Sequence, residues 1–174
     1  MSWIPTEQFL AQLPRAVHGA GVIVPDRHGC ILLVHDAYDP DRAASQKDMT
    51  FDWWLPGGLL EGNESPAQGA ERELAEETNL WAGQMTAVGS NYESPRNEWP
   101  AVTDYYFAAR ALDDDQMTSI MLSPEHEGYC FAAPESVPSL VPERRRSTAV
   151  HLLAAWAAGT TCTLFNGHPL GGAK

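Results

Sequence analysis

Basic charge is scarce in this 174-residue sequence, where 11 Lys and Arg stand against 23 Asp and Glu for a formal net charge of −12. So acidic a chain argues against broad binding to a nucleic-acid polymer or an anionic membrane, since both call for a basic face. A small polyanion is still admissible if metal ions supply local positive charge. The three cysteines, Cys30, Cys130 and Cys162, lie far apart with no CxxC pairing, so they read as ordinary reduced thiols. No run approaches the roughly 20 apolar residues of a membrane helix. The opening MSWIPTEQFLAQLPRAVHGAGVIV has no basic stretch leading into an apolar signal core. A cytoplasmic location is the default expectation. Internal repeats and low-complexity linkers are also missing. The 44% hydrophobic content suffices for one domain with a substantial core, so residues 1–174 read as a single unit.

What is present divides into short segments. Thr6 is placed to cap a helix through EQFLAQL that Pro14 ends, giving a helical segment over residues 1–14. AVHGAGVIV and CILLVH read as strands, and the polar PDRHG between them predicts a hairpin. DAYDPDRAASQKDMT lacks apolar periodicity and is longer than a simple connection needs. The stretch from Ala37 to Thr50 is therefore read as a substrate-selecting loop or as an inert insertion. FDWWLPGG predicts a strand running into a sharp bend. Ser65, Pro66 and Gln68 supply a cap, a first-position proline and a capping-box partner for a helix. Its apolar stripe is Ala67, Ala70 and Leu74, and Asn79 ends it in left-handed geometry. MTAVGSNYES, AVTDYYFAARAL and GYCFAAP read as strands. PERRRSTAVHLLAAWAAG predicts a C-terminal helix over 142–158 and leaves 159–174 as a tail. Strands broken by one central helix and closed by another indicate a mixed α/β domain.

The chemistry is concentrated in the central helix. RELAEE places Glu73, Glu76 and Glu77 within one arc, where like charges cost roughly a few tenths of a kcal/mol per pair on an isolated helix. A cluster of hard anionic oxygens is what Mg²⁺ or Mn²⁺ takes, and Mg²⁺ leaves further positions for water and substrate phosphates. Gly57 and Gly58 allow a tight turn that brings a backbone carbonyl to the same place without a side chain obstructing a phosphate.

From Gly58 to Leu80 the spacing resembles the Nudix box, G-x5-E-x7-R-E-U-x-E-E-x-G-U, where U is a bulky aliphatic residue. Gly58, Glu64, Arg72, Glu73, Leu74, Glu76, Glu77 and Leu80 fall in register, and Asn79 stands where the family has glycine. WWLPGG before the box and EHEGYCFAAPESVPSLVP after it resemble the family's flanks. The resemblance implies an α/β/α sandwich with a mixed sheet and the box as loop-helix-loop. It also implies a hydrolase of nucleoside-diphosphate-linked compounds, by water attack at phosphorus, with Mg²⁺ or Mn²⁺ as cofactor. Carried onto this sequence, Glu73 and Glu77 are metal ligands, and Glu76 is a ligand or the base that orients the water. The Gly57 carbonyl completes the metal shell, and Arg72 pairs with Glu64 to lock loop to helix. A further acidic ligand or base is placed before the late aromatic strand, with Glu125 the first choice and Glu127 the second.

Bland readings cover other features. Trp53 and Trp54 read as core residues, with a pocket-lining role for one ring as the alternative; Tyr92, Trp99, Tyr105 and Tyr106 read as packed strand aromatics, with base stacking as the alternative; and Arg144, Arg145 and Arg146 read as the solvated start of a helix in preference to a phosphate patch. The histidines show no metal-binding spacing and receive no role. The expected substrate is a nucleoside triphosphate or a nucleoside-diphosphate derivative, a small molecule and neither a nucleic-acid polymer nor a membrane; acidic charge disfavours RNA decapping. ADP-ribose or nucleotide-sugar pyrophosphatase is an alternative, and a non-catalytic nucleotide sensor is another. A homodimer is compatible with all of these.

Overall fold

The computed structural model describes residues 4–13, 15–38, 52–97 and 99–170. Most of the Ala37–Thr50 loop therefore lies outside the described residues. In chain order the elements are α1 (Thr6–Leu10), β1 (Ala16–Ile23), β2 (Ile31–Asp36), β3 (Trp53–Trp54), β4 (Gly57–Leu59), α2 (Pro66–Thr78), β5 (Thr86–Glu93) and β6 (Ala101–Ala108). They continue with α3 (Asp114–Thr118), β7 (His126–Ala132), α4 (Val137–Leu140), α5 (Glu143–Ala157), β8 (Cys162–Phe165) and β9 (His168–Pro169).

Two sheets form, one of six strands in the order β4-β1-β6-β5-β8-β9 and one of three in the order β3-β2-β7. The larger sheet is mixed, because β1 runs parallel to β6 and β5 parallel to β8 while its other pairs are antiparallel. Alternation along β1 and into the residue after it sends Ala20, Val22 and Val24 to a core shared with Ala70 and Leu74 of α2, and Ile23 to a second core shared with Leu152 of α5. The helices thus cover opposite faces, giving the expected α/β/α layering.

The predicted β1–β2 hairpin closes only at its tip, through the Pro25–Ile31 bridge and the Leu32 N–H donating to the Val24 carbonyl at 2.9 Å. Beyond that the strands part into different sheets. Both are strongly apolar, with Val22, Ile23, Leu32 and Leu33 fully buried, and a strand buried on both faces is better satisfied between two partners than at an edge.

Three local expectations are also revised. Thr6 is the first residue of α1 rather than its cap, Pro5 holds the cap position, and no α1 residue is buried. Ala67 is exposed in the solvent-facing first turn of α2, whose buried residues are Gly69, Ala70, Leu74, Glu77 and Thr78. The tail contains β8 and β9, joined by a turn in which Asn166 and Gly167 have φ of 49° and 77°. An Asn-Gly pair with two positive φ values is a strong hairpin signal, and TLFNGHPL carries it in the sequence.

Candidate active site

Helix α2 starts where its sequence specifies. Ser65 and Gln68 form a reciprocal capping box, and Pro66 takes the first turn. Its end is set by Asn79 at φ 59°, ψ 20°, a left-handed conformation that asparagine tolerates. Between these limits the carboxylates are presented at a fixed height beside the Gly57–Gly58 bend.

Arg72 organises them. Its guanidinium grips Glu64 with two bonds, Nε to Oε2 at 3.1 Å and Nη2 to Oε1 at 2.8 Å, and Nη2 also donates to the Leu59 carbonyl at 3.0 Å. Nη1 is shared between Glu73 Oε1 at 2.9 Å and Glu76 Oε2 at 3.0 Å. One cation thus ties the loop to the helix and offsets the repulsion within RELAEE. The bidentate Arg72 contact pulls the Glu64 carboxyl below its usual range. Burial pushes Glu73 up despite Arg72, with Glu77 and Glu76 adding to the rise.

Glu77 is held differently, deep in the fold. Its Oε2 accepts from the Gly57 N–H at 2.9 Å, and its Oε1 lies 3.1 Å from His126 Nε2. Burial raises the Glu77 carboxyl, opposed by His126 and the Gly57 N–H. The His126 ring is 4% exposed and also sits 3.5 Å from Asp36 Oδ1, with neither ring nitrogen aimed along a good hydrogen-bond line. Burial works to lower the His126 pKa, but Glu77, Asp36 and Glu125 outweigh it and raise it.

The glycines make these approaches feasible. A Cβ on Gly58 would lie 2.6 Å from the Glu73 carboxyl carbon, and one on Gly57, at φ 149°, would lie 2.2 Å from the Ala20 carbonyl oxygen. Neither position accepts a side chain without displacing its neighbours.

These groups open on a cavity of about 990 Å³. Its acidic wall carries Gly57, Gly58, Glu73, Glu76, Glu77 and Glu125. Glu127 is not brought there, because it pairs with His35 at 3.0 Å and is 57% exposed. A second wall, of which the sequence suggested only the aromatic and arginine parts and those as the less favoured readings, carries Trp54, Asp104, Tyr106, Arg144 and Arg145, with Arg96 and Trp99 nearby in the lining. Arg144 and Arg145 therefore turn to the cavity instead of standing only as a solvated helix start. Trp54 lines the cavity while Trp53 packs against His35, with ring centroids 4.9 Å apart. His126 and Asp36 were likewise missed, since no spacing in the sequence links them to Glu77.

The donor set suits a hard divalent cation. It is made of oxygens alone, and two of its carboxyls are pushed toward protonation in a way that a nearby cation would reverse. Among the described residues no three His, Cys, Asp or Glu side chains converge as a ready metal cage in this conformation. Arg72 draws Glu73 and Glu76 to one side, and His126 with Gly57 holds Glu77.

A family model described as the NUDIX domain matches residues 15–153. An RNA pyrophosphohydrolase from Zymomonas mobilis is 28% identical over 132 residues, covering 67% of this chain and 84% of that protein. Another RNA pyrophosphohydrolase, from Mesorhizobium japonicum, is 24% identical over 153 residues, covering 79% and 87%. Among solved structures, a C. elegans Ap4A hydrolase binary complex superposes with a TM-score of 0.62 at 21% identity, covering 82% of this chain and 98% of that one. The NUDIX domain of Shewanella oneidensis NrtR complexed with ADP ribose gives 0.64 at 14% identity, covering 90% and 99%. At these identities the structural likeness concerns the fold.

Proposed function

The chain belongs to the Nudix family, a pyrophosphohydrolase of pyrophosphate-containing substrates, and from that premise we propose that it hydrolyses a nucleoside triphosphate or a nucleoside-diphosphate-linked compound by water attack on a phosphoanhydride. The observation that carries this reading is the acidic wall. Glu73, Glu76, Glu77 and Glu125 line one cavity beside the Gly57–Gly58 bend, and Arg72 fixes the first two.

In this proposal Glu73, Glu76, Glu77, Glu125 and the Gly57 carbonyl hold divalent metal, taken as Mg²⁺ or Mn²⁺. Bound there, the metal would polarise phosphoryl oxygens and lower the pKa of water. The chain's own residues do the rest. Arg72 fixes the carboxylates and Glu64, Gly58 leaves room for Glu73, and His126 with the Gly57 N–H orients Glu77. Glu76 or Glu125 accepts or directs the proton of the attacking water, a task one positioned carboxylate can perform. No side chain needs to serve as a covalent nucleophile.

The relatives named RNA pyrophosphohydrolase favour a second reading, in which the anhydride belongs to a 5′-triphosphorylated RNA end. The net charge of −12 weighs against a long polyanion and leaves the short end as the part recognised.

A panel tests both. Nucleoside triphosphates, ADP-ribose, nucleotide sugars, a dinucleoside tetraphosphate and a 5′-triphosphorylated oligoribonucleotide are incubated with Mg²⁺ or Mn²⁺, and phosphate, pyrophosphate and nucleotide products are separated. Cleavage at an anhydride is expected in one class. Binding without product in every class would overturn the hydrolase reading in favour of a sensor.

A further inference from the structure

Water attack on an anhydride has no use for a half-buried carboxyl on the other side of the cavity, yet the sheet makes room for one. Asp104 lies mid-way along β6, between β1 and β5, on the same face as the buried Tyr106 and Ala108. A core-facing position of a central strand ordinarily carries an apolar residue. The parallel register sets Gly19 opposite Asp104 and Gly21 opposite Tyr106. A Cβ on Gly19 would lie 2.4 Å from Asp104 Oδ1, and one on Gly21 would lie 3.3 Å from the Tyr106 ring. Glycine weakens a strand interior and marks places where something must approach closely. Here two alternate glycines clear the floor beneath an acid and a phenol.

Asp104 is also partnered in a way that leaves it acceptor capacity. The Tyr106 phenol beside it works to lower its pKa, and a carboxylate has about four lone-pair sites, so acceptor capacity remains for a ligand. Among the described residues no Arg, Lys or His closes an ion pair with it. Burial raises it to about 6, offset in part by Arg145 and reinforced by Glu93. The Arg145 guanidinium lies over the Trp54 ring, 4.6 Å from its centroid, and lines the same cavity. An acceptor, a donor and aromatic faces therefore meet on one wall.

We propose that Asp104 is the specificity-determining acceptor for the substrate's base, taking the adjacent N1–H and N2–H of guanine while Arg145 donates to the neighbouring O6. This rests on the nucleotide reading above. Guanine alone among the common bases presents two adjacent N–H donors beside a carbonyl on one edge. Adenine and cytosine offer one amino donor next to a ring nitrogen acceptor, which a carboxylate repels, and uracil flanks its single N–H with two carbonyls. Trp99, 42% exposed in the lining, supplies an open ring for the base to stack on.

Calorimetric binding of GMP, IMP and AMP in the presence of Mg²⁺ tests this without any turnover. IMP keeps O6 and N1–H but lacks the N2 amino group. The parent is expected to bind GMP about tenfold or more tightly than IMP or AMP. Asp104→Asn should abolish the GMP-over-IMP preference, whereas Arg145→Gln should weaken GMP and IMP together and leave their ratio intact. Equal binding of all three by the parent, or a parent-like GMP-to-IMP ratio in Asp104→Asn, would overturn the assignment. Selective GMP binding with no cleavage of any panel compound would sustain this inference while removing the hydrolase reading; cleavage with no base preference would do the reverse.

Discussion

On the acidic wall, one guanidinium reaches Glu64, Glu73 and Glu76, and the His126 imidazole meets Glu77, so carboxylates crowded by the sequence are individually answered. On the Asp104 wall a half-buried carboxyl sits with a phenol and a cation at longer range, Glu93 lies in the same lining, and the neighbours of Asp104 on β1 are reduced to glycine to admit it. The first arrangement gathers negative charge and then restrains it, as a metal-binding surface requires. The second keeps one acceptor available, as recognition requires. One cavity thus carries two uses of a carboxylate, and substitutions should separate them.

The largest expected effect is on the acidic wall. Glu77→Gln and Glu73→Gln each remove a charge without changing shape, and each should lower kcat/KM on the order of 100-fold or more with the melting temperature retained. Steady-state kinetics at saturating metal decide the point. Near-normal turnover in either variant would break the division between the walls.

An intermediate effect belongs to Asp104, and it concerns stability rather than rate. Because its folded pKa, about 6, stands above the 3.8 of an unperturbed aspartate, the protonated form is favoured by folding. The associated stability is fully present below the unfolded pKa and is lost as pH rises through the folded one. Asp104→Asn removes the ionisation and should stabilise the fold at pH 8 by about 1–3 kcal/mol, with the gain shrinking toward pH 4. Denaturant melts at both pH values measure it. The same gain at both would contradict a half-buried, ionisable acceptor.

The smallest effect is at the helix end, which belongs to neither wall but sets the height of the first. Asn79→Gly should change stability by no more than about 0.5 kcal/mol, whereas Asn79→Val should cost about 1–2 kcal/mol, because a β-branched residue resists left-handed geometry. Thermal melts that coincide for the two variants would reject that account.

The contrast between the walls also explains what could be read from the sequence. Gly58 to Leu80 is contiguous, so the cap at Ser65, the helix, the Arg72–Glu64 clasp and the left-handed Asn79 all follow from local spacing. Strands with plain apolar patterns, such as β1, β2 and β6, were legible for the same reason. The Asp104 wall was not, because Gly19 meets Asp104 only through the parallel register of β1 and β6, and Arg145 arrives from α5. Nothing in GAGVIV or VTDYYF alone announces that meeting. His126 was illegible likewise, since its nearness to Glu77 depends on β7 approaching the end of α2. The parting of β1 from β2 shows a further limit: a turn sequence fixes the tip of a hairpin, while the strands follow their burial. In the tail, by contrast, the Asn166-Gly167 turn signal stood in the sequence and was passed over when 159–174 was read as a plain tail.

The central claim is that the acidic wall cleaves an anhydride with the help of divalent metal. The most direct measurement strips the protein of metal, assays the best substrate of the panel in excess chelator, then restores Mg²⁺ or Mn²⁺ by titration for the parent and for Glu77→Gln. Turnover in the parent should vanish on stripping and return with added ion, while Glu77→Gln should recover little of it. Full turnover in the presence of chelator, or equal recovery by the two proteins, would contradict the claim.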